Sequence, residues 1–327
     1  MQACRPTSTF GNKSAHQKIY ASAHYLYSVS TKNILITGGT GFLGSHLKKI
    51  LAEKNYRVAV LSRSRMSSEN SFQWNVENKF IDPKALEETD TIIHLAGASL
   101  AEDRWTERRK KVIIDSRVKS AELLFEKLKN TSHHVTTFIS ASGIGFYGET
   151  HDQWVDESSA AGNDFPPQVC IAWEDAVKKI ASLGIRVVII RIGFVLAKDG
   201  GALPVLSKPV RWFIGSPLGS GKQFLSWIHV DDVCSIFLKA LEDEKMNGVF
   251  NAVATNPVTQ KEFMLALASN LRRILLPIHV PAWFLKMLLG EKSVLVLSGQ
   301  RVSNKKLLDS GFQFQYLKLE DALSDIG

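Results

Sequence analysis

Four glycines at 38, 39, 41 and 44, set directly after the apolar run Asn33-Ile-Leu-Ile-Thr37, are the residues in this chain best spaced to hold a phosphate. Gly38 suits a tight turn off a strand. Gly41 has no side chain, so the backbone can approach a pyrophosphate. Gly44 lets the following helix pack close. The residues after the turn keep a helical apolar spacing (Phe42, Leu43, Leu47, Ile50, Leu51), and amides at that helix start would face an anion with a favourable dipole. The run Thr37, Gly38, Gly39, Thr40, Gly41, Phe42, Leu43, Gly44 is therefore the expected cofactor cradle. A second strand, Arg57-Val-Ala-Val-Leu61, follows in the order a dinucleotide-binding βαβ unit requires.

The end of that second strand separates two cofactors. An acidic residue about 20 residues beyond the glycines accepts from the ribose 2′-hydroxyl of NAD. Here the chain reads Leu61-Ser-Arg-Ser-Arg-Met66, with no Asp or Glu between Arg57 and Ser68. Arg63 offers a guanidinium fork for a 2′-phosphate, with Ser62 or Ser64 adding a hydroxyl. A solvated loop arginine is the bland alternative. The expected cofactor is NADP(H).

These residues need a scaffold, and the chain supplies one in alternation. Strand-like runs recur at Asp90–Leu95, Thr136–Ser140 and Arg186–Arg191, with helical patterns over Trp105–Leu128 and Val169–Leu183. That alternation predicts an α/β fold, a Rossmann-type doubly wound parallel sheet. From about Asp199 the pattern changes. A Gly/Pro/Ser-rich stretch precedes a helix from Asp231, its expected N-cap, through Leu241, and Gly248–Asn251 reads as a strand returning to the sheet. The remainder is mostly helical, with a late strand expected at Phe312–Tyr316. The expected organisation is an extension over 1–32, a Rossmann domain over 33–200, and a small, mostly helical C-terminal lobe over 201–327 whose segment 227–252 rejoins the sheet.

A chain of 327 residues with 45% hydrophobic content buries a full core. The net charge of +8 is dispersed, and basic runs such as Arg108-Arg109-Lys110-Lys111 lie beside helix-periodic apolar residues, so no nucleic-acid partner is expected. Cys4, Cys170 and Cys234 are too few and too scattered for a disulfide framework. His133-His134 has no nearby ligand partners, and no metal is expected. The first 32 residues contain no Asp or Glu but carry Arg5, Lys13, Lys18 and Lys32. A transit peptide and a plain tail both fit that composition. The expected compartment is the cytoplasm, or an organelle if this segment is a targeting signal.

The turn Thr37-Gly-x-x-Gly-x-x-Gly44, His94-Leu-Ala-Gly-Ala98, Phe146-Tyr-Gly148 and His229-Val-Asp-Asp232 together resemble the extended short-chain dehydrogenase/reductases. Arg104-Trp-Thr-Glu-Arg-x-Lys110, Asp115-Ser-Arg-Val118, Ala172-Trp-Glu174, Leu218-Gly-Ser-Gly-Lys-Gln223 and Gly299-Gln-Arg-Val302 narrow the resemblance. They point to the atypical branch of epimerase family proteins, sometimes called cell-division-inhibitor-like, over roughly residues 33–326. The resemblance implies that Leu95, Ala96 and Gly97 also touch the cofactor. It also implies a Tyr-x-x-x-Lys pair for proton transfer. None of the six tyrosines has a lysine four residues on, and Trp173 or Glu174 stands where that lysine is expected.

Three catalytic candidates remain. Ser142 matches the family's substrate-binding serine and could bond a carbonyl, or else satisfy local backbone. Tyr147 lines the same pocket or anchors the core. Glu174 is an acid or base if buried and an ordinary surface carboxylate if not. Cys170 reads as a buried small hydrophobe, and His94 as a core histidine. Two functions follow: an NADP(H)-dependent oxidoreductase or epimerase-like enzyme on a small carbonyl or sugar-like substrate, or a non-catalytic NADP(H)-binding regulator, for instance of cell or organelle division. The segment Leu271–Gly290 mixes basic and apolar residues. It is expected to pack in the lobe core through Trp283, Leu285 and Leu288, with membrane contact as the alternative.

Overall fold

In the computed structural model, which describes residues 32–64 and 70–326, the glycine turn sits at the carboxyl end of an interior strand of an eight-stranded sheet. The targeting question for residues 1–31 and the stretch 65–69 lie outside the described residues.

The sheet starts with β1 (Asn33–Thr37), α1 (Phe42–Glu53), β2 (Arg57–Ser62), β3 (Ser71–Asn75), β4 (Phe80–Ile81), α2 (Lys84–Glu87) and β5 (Thr91–His94). It continues through α3 (Glu107–Asn130), β6 (Thr137–Gly143), β7 (Trp154–Val155), α4 (Phe165–Lys178), β8 (Arg186–Ile192) and β9 (Phe194–Leu196). Then come α5 (Leu203–Arg211), β10 (Phe224–Leu225), β11 (Trp227–His229), α6 (Val230–Glu242) and β12 (Gly248–Ala252). The chain ends with β13 (Val258–Thr259), α7 (Gln260–Asn270), α8 (Ala282–Leu289), α9 (Val294–Leu297), β14 (Arg301–Val302), α10 (Lys305–Asp309) and α11 (Leu319–Ile326).

The strand order is β12-β8-β6-β5-β1-β2-β3-β4, parallel throughout except for β3–β4. From β1 the chain winds one way through β2 and β3, and from β5 the other way through β6 and β8. The order therefore reverses between β1 and β5, and a crevice opens there at the strands' carboxyl ends. Ile34, Leu35, Ile36, Ile92, Ile93, Phe138, Ile139 and Val188 are buried, as the interior of a parallel sheet covered on both faces demands. The Rossmann-type fold expected from the alternation is the fold observed. Pairs β7/β14 and β9/β11 are parallel, and β10/β13 is antiparallel. A second apolar cluster joins Trp227, Phe263, Leu267, Tyr316, Leu319 and Leu323, where α7 meets α11.

Four expectations need correction. Phe312–Tyr316 is a loop, because the amides of Gln315 and Tyr316 donate to the Asp232 carboxylate (2.8 and 3.2 Å) instead of to a strand partner. The N-cap of α6 is His229, whose Nδ1 accepts from the Asp231 amide, and Asp231 lies in the first turn. The His229 Nε2 faces Asp325 at 3.4 Å, with Asp231 close by on the other side of the ring. Helix α4 starts at Phe165, earlier than its apolar spacing suggests, because Pro166 and Pro167 fit the first turn. Finally, Leu285 is buried, but Trp283 and Leu288 are exposed. Among the described residues no helix is long and apolar enough to cross a membrane.

Candidate dinucleotide site and the buried network beside it

The glycine turn is built so that side chains would obstruct it. Gly38 has φ +71°, and a Cβ there would lie 2.9 Å from the Leu95 carbonyl carbon and oxygen. A Cβ on Gly44 would lie 2.4 Å from the Gly38 oxygen, and one on Gly39 would press into Val60. Gly41 differs. A Cβ there would meet only the Gly38 oxygen at 3.2 Å, so its outer side is open. Helix α1 starts at this opening with no side-chain cap and no acidic residue in its first turn. Exposed amides, a positive helix end and an open glycine face make a fitting cradle for a pyrophosphate.

Two devices hold the cradle. The Thr37 hydroxyl accepts from the Leu95 and Ala96 amides (both 3.2 Å), so it donates to His94 Nδ1 at 2.8 Å. That assigns the proton to His94 Nε2, which faces Ser120 Oγ at 3.3 Å. Burial pushes the His94 pKa down to about 3, so it is a neutral core histidine, as expected. On the other side, Gly97 leaves room for the Arg117 guanidinium, whose Nη1 bonds the Ala98 carbonyl at 2.9 Å. The loop after β9 also reaches the cradle. Gly200 lies against the Phe42 ring, and His46 Nε2 meets Asp199 at 3.0 Å. Ser62 ends β2 half-buried, and Arg63 is exposed immediately beyond it.

The three catalytic candidates come together in one buried network, with a fourth member that the sequence reading did not single out. Ser142 donates to Glu174 Oε1 at 2.8 Å. Arg191 grips the same carboxylate with both prongs, Nε to Oε1 and Nη2 to Oε2, each 2.8 Å. Its Nη1 donates to the Tyr147 hydroxyl at 3.0 Å, and Tyr147 donates to Asn251 Oδ1 at 2.8 Å. The Arg191 guanidinium also lies 3.4 Å from the Phe146 ring centroid. Glu174 and Arg191 are 1% and 3% exposed, which makes this a fully buried ion pair. Glu174 is thus not a surface carboxylate. Tyr147 is in the core, and burial raises its pKa, so it stays protonated.

Arg191 has a sequence signal only in hindsight. It is a charge inside an apolar strand, and β6–β8 pairing sets it directly beside Ser142. Cys170, one turn before Glu174 on α4, lies with its Sγ 3.5 Å from the Gly143 carbonyl. Burial pushes its thiol up to about 11, so it is protonated and inert, in line with the small-hydrophobe reading.

Family models and relatives agree with this architecture. Residues 34–252 match the NAD dependent epimerase/dehydratase family, and residues 280–326 match a domain of unknown function, DUF1731. The chain is 37% identical over 301 residues to epimerase family protein YfhF of Bacillus subtilis, covering 90% of this chain and 97% of that protein. It is 36% identical over 306 residues to the chloroplastic epimerase family protein SDR39U1 homolog of Arabidopsis thaliana, covering 91% and 87% of the two chains. Human epimerase family protein SDR39U1, solved with NADPH, superposes with a TM-score of 0.81 at 28% identity, over 90% of this chain and 98% of that one. With its Rossmann-type sheet, glycine cradle and C-terminal module, the chain belongs to the NAD dependent epimerase/dehydratase family.

Proposed function

We propose that this chain is an NADP(H)-dependent oxidoreductase acting on a small hydroxyl- or carbonyl-bearing substrate, sugar-like compounds included, without a Tyr-x-x-x-Lys pair. The observation that carries the cofactor is the open, uncapped start of α1 at the switch point, with Arg63 rather than a carboxylate beyond β2. The human relative solved with NADPH supports the same choice. Thr37 to Gly44 would hold the pyrophosphate, Leu95, Ala96 and Gly97 would flank it, and Ser62 and Arg63 would take the 2′-phosphate. Arg63→Glu is expected to weaken NADPH at least tenfold, about 1.4 kcal/mol, and to leave NADH little changed. Equal losses for both cofactors would remove Arg63 from the 2′-phosphate site.

Bound nicotinamide supplies or accepts a hydride. Proton handling falls to this chain's own residues. Because Ser142 donates to Glu174, its lone pairs are the part of it left for a ligand, and they accept from a substrate hydroxyl. On oxidation the substrate proton moves to Ser142 Oγ as the serine proton moves to Glu174 Oε1, while Arg191 keeps the carboxyl fixed. Ser142→Ala is expected to keep NADPH binding and lower kcat roughly 10²–10⁴-fold, the usual weight of a positioned proton-transfer group. Undiminished turnover in that variant would exclude the relay.

One observation favours a second reading. Glu174, Arg191, Tyr147 and Asn251 satisfy one another inside the protein. That is how a purely structural network behaves, and it suits an NADP(H)-binding regulator. Cofactor binding with no turnover on a broad panel of alcohols and carbonyls would select it.

A further inference from the structure

The face formed by α5, the following loop and the segment before α8 is strongly apolar and strongly basic. Trp212, Phe213 and Ile214 close α5 at 72%, 59% and 65% exposure. Beside them Ile274 and Ile278, at 79% and 74%, stand exposed on the irregular segment that leads into the exposed Trp283 of α8. The two stretches lie side by side. The Leu276 amide donates to Gly215 O at 2.8 Å, the Val280 amide to Pro217 O at 2.9 Å, and Leu218 bridges Val280. The Arg273 guanidinium lies 4.5 Å from the Phe213 ring centroid. Exposed apolar patches of this kind mark interaction surfaces.

Charge selects the occupant. Residues 203–230 and 263–290 hold Lys208, Arg211, Lys222, Arg272, Arg273 and Lys286, and neither segment contains an Asp or Glu. A second copy would set Lys208, beside Trp212 and Ile214, and Arg273, on Phe213, against their own like charges. The acid-free residues 1–32 would also bring like charge. A surface that pairs aromatic and branched apolar side chains with unopposed Lys/Arg is complementary to an anionic lipid interface, where rings and aliphatic stems enter the headgroup boundary and cations meet phosphate and carboxylate. We propose that this face docks the protein peripherally on anionic membranes. The proposal does not depend on the cofactor reading.

The test is co-sedimentation of the full chain with phosphatidylcholine vesicles, with and without phosphatidylserine. Binding is expected only to the serine-containing vesicles. It should fall steeply as salt rises from about 0.1 to about 1 M, where screening shortens from about 10 to about 3 Å. Trp212→Ser with Ile278→Ser, and separately Arg272→Ala with Arg273→Ala, should each weaken it about tenfold or more. An unchanged melting temperature in both variants shows that folding is intact. Absence of binding to serine-containing vesicles, or binding by either variant as tight as that of the unsubstituted chain, overturns the proposal. So does a dimer in analytical ultracentrifugation that Trp212→Ser with Ile278→Ser converts to monomer, since the face would then be an interface between copies.

Discussion

Removing Arg191 is expected to destabilise this protein by roughly 3–5 kcal/mol, because Arg191→Ala leaves the Glu174 carboxylate buried without its cation. The loss exceeds that of an ordinary hydrogen bond for two reasons. Both carboxylate oxygens lose a charge-assisted partner at 2.8 Å, and the Tyr147 hydroxyl loses its donor in the same change. Glu174→Ala should cost a similar amount by stranding the guanidinium. Lys178, 3.7 Å from Glu174 Oε2 and half exposed, is too distant and too wet to substitute. The informative variant is the double one. Glu174→Leu with Arg191→Met removes both charges, so it should be clearly more stable than the summed losses of Glu174→Leu alone and Arg191→Met alone predict. Urea unfolding of the four proteins measures this coupling. Additive losses would show that the pair is not an isolated buried ion pair.

The second large effect belongs to the cradle. Gly44→Ala is expected to abolish tight NADPH binding, with affinity down roughly 100-fold or more, and to lower stability by roughly 1–3 kcal/mol. The new methyl would stand 2.4 Å from the Gly38 oxygen and 2.7 Å from the Gly39 Cα. Both are backbone atoms of the turn itself, so relief requires opening the turn that would hold the phosphates. Gly184→Ala makes the control. Gly184 has φ +78° and nothing within 4 Å of an added Cβ, so the change strains only the backbone, far from the cradle in sequence. It should reduce stability modestly and leave NADPH affinity alone. Isothermal titration of both variants separates the outcomes, and intact NADPH affinity in Gly44→Ala would remove the glycine turn from the binding site.

The parts legible in the sequence were those written locally. Strand, glycines and helix start stand within twelve residues, from Asn33 to Gly44, and each glycine's role is a short-range steric fact. The alternation of strand and helix patterns likewise carried the doubly wound sheet. Arg191 was not legible in the same way. It reaches Ser142 through the β6–β8 register and Glu174 across the strand-to-helix layer, and neither separation leaves a spacing motif. Phe312–Tyr316 misled because alternate burial of Phe312, Phe314 and Tyr316 imitates a strand, while the amides there serve Asp232. Leu285 and Leu288 share one side of α8 and Trp283 lies on the other, yet of the three only Leu285 turns inward. Apolar spacing defines a helix face, and it does not say whether that face meets the core.

A nicotinamide dinucleotide carrying a 2′-phosphate is expected to sit on the turn Gly38–Gly44. Titration of the purified chain with NADPH and with NADH, followed by nicotinamide fluorescence, tests it most directly. Saturable NADPH binding at least tenfold tighter than that of NADH is expected, about 1.4 kcal/mol of preference. Binding of neither cofactor, or a preference for NADH, would contradict it.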